Sequence, residues 1–173
     1  MKQNSYKKYH KGTSLIELIL YIAIMGIMLT SIGSFIVANK KMGDRHKAMT
    51  EVELQGSEVM RTVTQAVRNA QSVGSPAAGA SGSSLSLAIY TPSKNPTVFD
   101  FSGGKVRIKE GSGSAVDLNS GQVEITNLSF KNMTATNAPG SIQVSFDINY
   151  VNPGNKAELN YSKTYVDSAS IPQ

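Results

Sequence analysis

The chain is 173 residues long, with no cysteine, no tryptophan and a formal charge of +5 at pH 7. Without cysteine, a disulfide framework and a thiolate metal site are both excluded. Four of the 17 cations, Lys2, Lys7, Lys8 and Lys11, precede Thr13 with no acid among them, leaving 13 cations against 12 acids in the remainder, so the body of the chain exerts little electrostatic pull on nucleic acid.

After this basic tail comes "LIELILYIAIMGIMLTSIGSFIVA", Leu15 to Ala38, a 24-residue apolar run whose single charge is Glu17. About 20 apolar residues in an α-helix cross a bilayer's hydrocarbon core. A secretory signal fits less well, because its apolar region is usually about 7–15 residues and ends at an A-x-A-like site. Ser31-Ile32-Gly33 is a poor match to that site, and helical periodicity continues past Ala38. Gly26 and Gly33 lie seven residues apart on one helical face, as a close-approach surface for another helix, as weak points where the helix thins under strain, or as tolerated glycines facing lipid. Lys40, Lys41, Arg45 and Lys47 follow the run and nearly balance the lysines before it, so loop charge does not fix the orientation. A carboxylate at the centre of a membrane helix costs about 2.5–3.5 kcal/mol on insertion scales. Glu17 stands near the end, where it either reaches the interface or serves a function.

The setting of that carboxylate resembles a known family. "KGTSLIELILYIAIMG" is similar to the processing and assembly signature of type IV pilins and of the pseudopilins of type II secretion and competence systems. The resemblance covers Lys11 to about Ala38 and is only architectural beyond. It implies that a membrane-embedded aspartyl prepilin peptidase cuts between Gly12 and Thr13 on the cytoplasmic side and methylates the new amine of Thr13. Glycine lets the backbone approach a protease closely. The new ammonium would lie four residues from Glu17 on the same helical face. In a filament, Glu17 would pair with the Thr13 amine of a neighbouring subunit. Because an unpaired charge in a dry core is heavily penalised, the pair would set registry. Thr13 stands where the family most often has phenylalanine, and no proline occurs before Pro76, whereas many major pilins kink their membrane helix with one. These departures, and the absence of cysteines for a C-terminal disulfide loop, point to a minor pilin or minor pseudopilin.

From Lys40 to about Ser72 the pattern becomes amphipathic, with Val52, Val59, Val63, Ala66, Val67 and Ala70 at helical spacing. Glu51, Glu53, Glu58, Arg61 and Arg68 face elsewhere. One nearly continuous helix is predicted from Ser14 to about Gln71, roughly 85 Å long. "SVGSPAAGASGSS", Ser72 to Ser84, reads as a linker loop. Beyond it the period becomes two. Leu85, Leu87 and Ile89 alternate with smaller residues, and "TVFDFSGGKVRIKE" predicts two strands around Gly103-Gly104. "SAVDLNS" and "GQVEITNLSF" supply further short strands. In the last hairpin Ile142, Val144, Phe146, Ile148 and Tyr150 share a face and oppose Leu159, Tyr161 and Tyr165 across an Asn-Pro-Gly-Asn turn. The predicted class is α+β: a long N-terminal helix, membrane-spanning in its first half and amphipathic in its second, packed on a C-terminal antiparallel β-sheet head.

The expected organisation is a basic leader over 1–12, a transmembrane or filament-core helix over 13–39, an amphipathic helix over 40–72, a linker over 73–84 and a β head over 85–173. The head offers little chemistry. His46 reads as a solvated juxtamembrane residue, and Asp117 to Glu124 as a hairpin turn that fails the calcium-loop spacing. Tyr150, Tyr161 and Tyr165 read as packing residues. No catalytic residue, metal or cofactor is expected. The resemblance implies three partners: the prepilin peptidase, sibling pilins in a helical filament and an inner-membrane assembly platform. It also implies residence as a single-pass protein of the bacterial inner membrane, with the head outside the cytoplasm. Two other readings stay open: a filament-tip module that binds a surface or DNA, which the near-neutral head disfavours for DNA, and a single-pass anchored protein that never assembles.

Overall fold

A computed structural model describes residues 14–172. The expected leader and the Gly12–Thr13 bond lie outside the described residues. The chain divides into two compact units, the first ending at Lys41 and the second starting at Met42. One helix, α1 (Leu15–Arg68, 54 residues), contributes to both. Its continuity follows from a run free of proline and rich in leucine, isoleucine, methionine and alanine. The helix stops at Arg68, short of the predicted Gln71, because Ala70 already pairs with Ile89 in a sheet.

In the first unit, the α1 side chains are exposed along the apolar run, with Leu15 at 76% and Phe35 at 68%. The segment is long and apolar enough to cross a membrane.

The second unit is the α+β head. After α1 come β1 (Ala70–Ser75), β2 (Ser81–Gly82), β3 (Leu85–Ile89), β4 (Thr97–Ser102), β5 (Lys105–Glu110), β6 (Val116–Asp117), β7 (Val123–Asn132), β8 (Ser141–Tyr150) and β9 (Ser162–Ser170). They form two antiparallel sheets, in the orders β1-β3-β4-β5-β6 and β2-β7-β8-β9. The sequence reading expected one sheet; a period of two marks strands but does not assign their partners. The sheets are joined instead at one corner. There the Ile125 amide donates to the Gly104 carbonyl at 2.9 Å and the side chain of Asn119 fills the junction.

The segment expected as a linker contributes to both sheets through β1 and β2. Its small polar residues carry no apolar alternation, and β1 is irregular, with register shifts between Ala70 and Ser72 and between Val73 and Ser75. Pro76, which has no N–H to give a ladder, follows the end of β1. The predicted β4–β5 hairpin is present: Gly103 and Gly104 take φ of +59° and +76° between the paired Ser102 and Lys105, the left-handed pair a two-residue turn requires. The last hairpin differs from expectation. Leu159 lies in a 3-10 turn (Ala157–Leu159) rather than on a strand, and Asn152 organises the longer connection. The Asn152 amide donates to Lys156 O at 2.8 Å and Asn160 Oδ1 at 2.9 Å, while its oxygen accepts from the Lys156 amide.

The core forms where helix and sheets present apolar faces to each other. Val52, Val59, Val63 and Val67 of α1 are fully buried, as are Leu85, Leu87, Phe99 and Val106 of the first sheet and Ile142, Val144 and Ile148 of β8. Each such side chain contributes about 1.5–3 kcal/mol relative to exposure. In β7 the buried positions switch from Val123 and Ile125 to Leu128, Phe130 and Asn132. A bulge at Asn127, with φ of +53°, supplies the extra residue that turns both halves toward the core. Gly56 lies against the Tyr165 ring, and that ring stacks on Phe146 with centroids 5.4 Å apart.

Candidate functional site

At the start of α1 the Ser14 carbonyl accepts from the amides of Glu17 at 2.9 Å and Leu18 at 3.1 Å. Glu17 therefore sits in the first turn, where the exposed amide dipoles favour a negative charge. It is half-buried, while Ile16 and Leu18 on either side are exposed. The Tyr21 hydroxyl, one turn on, donates to Glu17 Oε1 at 3.0 Å. The sequence reading passed over Tyr21, although its spacing of four from Glu17 and its polar tip in an apolar run were the available signals. Of the expected site residues, Glu17 lies among the described residues; Gly12 and Thr13 lie outside them.

The remaining polar groups of the apolar run, and Asn39 just beyond it, satisfy themselves. The Thr30 hydroxyl donates to Gly26 O and Ile27 O, Ser31 to Ile27 O, Ser34 to Thr30 O, and the Asn39 amide to Phe35 O, all within 2.9–3.1 Å. Such internal pairing is what a hydrocarbon surrounding would demand, since it offers no partner for a stray hydroxyl. At Gly26 and Gly33 an added Cβ would meet nothing within 4 Å. Nothing among the described residues therefore requires these glycines to be small, and the readings of them stay open.

The head's polar groups are engaged in structure. Asn119 is 3% exposed; its oxygen accepts from the Val106 amide at 2.9 Å and its amide donates to Gly104 O and Val123 O, both at 3.2 Å. This residue, in the stretch expected as a plain turn, closes the corner between the sheets. Asn132, also buried, donates to Pro76 O at 2.7 Å. Glu53 ties the helix to β9 and the segment before it, accepting from Lys163 Nζ at 3.2 Å and from the Tyr161 hydroxyl at 3.4 Å. The Tyr165 hydroxyl donates to Glu53 O, and Lys163 lies 5.2 Å from the Tyr165 ring centroid. Burial raises the Tyr165 phenol above its ordinary value, and the Glu53 hydrogen bond raises Lys163. Tyr150, Tyr161 and Tyr165 all pack against the core.

Asp147 is held below its ordinary range by hydrogen bonds from Thr164 and then from Asn127. Both partners sit at the β7 bulge or on β9, so this carboxylate braces the sheet. His46 is exposed on α1. Among the described residues no three His, Asp or Glu side chains converge as a metal site would require. The concave surface bounded by Pro76, Pro139 and Pro172 has no titratable side chain among the described residues that line it. No known protein family, curated protein or solved structure matches the chain.

Proposed function

We propose that the chain is a structural subunit, a minor pilin or minor pseudopilin. It is cut between Gly12 and Thr13 by a prepilin peptidase, N-methylated at Thr13, held in the bacterial inner membrane by α1 and then assembled with sibling subunits into a filament. The reading rests on one observation: an exposed apolar helical run whose single charge, Glu17, is half-buried near its start. The sequence resemblance over Lys11 to Ala38 supports it. A bare apolar anchor has no need of a carboxylate. A subunit that must stop at one register does, because misdocking leaves the charge unpaired in an apolar environment.

The test uses Glu17→Ala and Glu17→Leu in cells that make filaments. Both variants should be processed and retained in the membrane, while immunogold labelling of the filaments falls at least tenfold, about 1.4 kcal/mol. Wild-type labelling by either variant would show that the carboxylate does not set registry, and filaments left unlabelled even by the unaltered chain would favour a non-assembling anchor.

A further inference from the structure

Resting on the reading of α1 as a membrane span, we infer that Lys40, Lys41, Arg45 and Lys47, each kept near the membrane surface by its place in the chain, bind the anionic headgroups of phospholipids. These cations begin two residues after Ala38, where the apolar run ends. At 1.5 Å per residue, Lys40 to Lys47 covers roughly 10 Å of helix, against about 5–8 Å for the headgroup layer on one side of a bilayer, a difference that long cationic side chains span. Chain length alone therefore keeps all four within reach of that layer. Each is exposed. None takes part in an ion pair among the described residues; in the head Arg61, Lys94, Lys105, Arg107 and Lys163 are paired, while Arg68, Lys109, Lys131 and Lys156 are scattered singly. The one carboxylate among them, half-buried Asp44, leaves a clear positive excess, and the next acid along the chain is Glu51. Long lysine and arginine stems lie along apolar surface while their heads reach the interface. Phosphate oxygens of anionic lipids are the complementary charge at that depth. Such contacts would hold the unassembled subunit at a fixed depth and would have to break on extraction.

The full chain carries no tryptophan, so Met42→Trp, at an exposed position, gives an unambiguous donor. The protein is reconstituted in phosphatidylcholine vesicles, with or without phosphatidylglycerol, and energy transfer to dansyl-labelled versions of each lipid is compared. The labelled phosphatidylglycerol should be enriched around the tryptophan severalfold, up to roughly fivefold for each cation engaged. The preference should fade in high salt and vanish when all four cations become glutamine. Equal transfer to both lipids, in a chain that floats with both vesicles after an alkaline wash, overturns the proposal and leaves the membrane span standing. A chain that floats with neither overturns the span and this inference with it. If the glutamine variant keeps its lipid preference but no longer associates with other copies, the cations serve a neighbour's carboxylates, which also overturns it.

Discussion

Tyr21 donates its hydroxyl to Oε1 of Glu17 across one turn of α1, at 3.0 Å. Oε2 has no hydrogen-bond partner among the described residues. The tyrosine thus engages one oxygen of the carboxylate, and under the proposed function the other is the one that would meet an incoming amine. A hydrogen bond to a charged group contributes about 1.5–3 kcal/mol. Tyr21→Phe should therefore lower filament incorporation roughly tenfold or more, yet have no further effect in a Glu17→Gln background. Quantitative immunoblotting of sheared filaments from the four strains of this cycle provides the measurement. Additive losses would mean that the two side chains act independently.

Gly56 is required by contact rather than by backbone freedom. A Cβ there would run into the Tyr165 ring, and the ring cannot retreat freely because Phe146 stacks on it. Gly56→Ala should cost about 1–3 kcal/mol through overpacking, despite alanine's better helix propensity. Thermal unfolding of the head reads this directly; an unchanged or raised midpoint would refute the close fit.

Asn119 serves three backbone groups at the corner of the two sheets. Asn119→Ala leaves a buried amide and two carbonyls with fewer partners, each worth about 1–3 kcal/mol if wholly unsatisfied. The expected loss is several kcal/mol by urea denaturation, larger than for Ser120→Ala next to it. Equal, small losses at both positions would mean that water replaces the asparagine.

The second compact unit starts at Met42, and its core includes Val52, Val59, Val63 and Val67 of α1. A chain beginning at Met42 should be soluble and unfold cooperatively. One beginning at Val73 removes these valines and the start of β1, and should not fold. Circular dichroism and dispersed amide resonances distinguish the two. A cooperatively folded chain from Val73 would show that the helix is dispensable to the head.

The buried stripe of α1, the alternation in β8 and the Gly103-Gly104 turn were legible in the sequence because each carries a local signal: a period of 3.6, a period of two, or a left-handed glycine pair. The split into two sheets was not, since it depends on which strands meet and on Asn119 bridging Val106, Gly104 and Val123. β1 and β2 were hidden by small polar residues whose strand state comes from their neighbours. At the candidate site, Glu17 stood out as a lone charge in an apolar run. Tyr21 counted as apolar, and its role emerges only when its hydroxyl is placed one turn from the carboxylate.

The account rests on a cationic chain end at Thr13 that pairs with Glu17, and intact-mass and N-terminal peptide mass spectrometry of the membrane-extracted protein tests it most directly. The expected mature chain lacks residues 1–12 and begins at Thr13 carrying one added methyl group. A chain that keeps its lysine-rich leader, or one cut after residue 30, would contradict it.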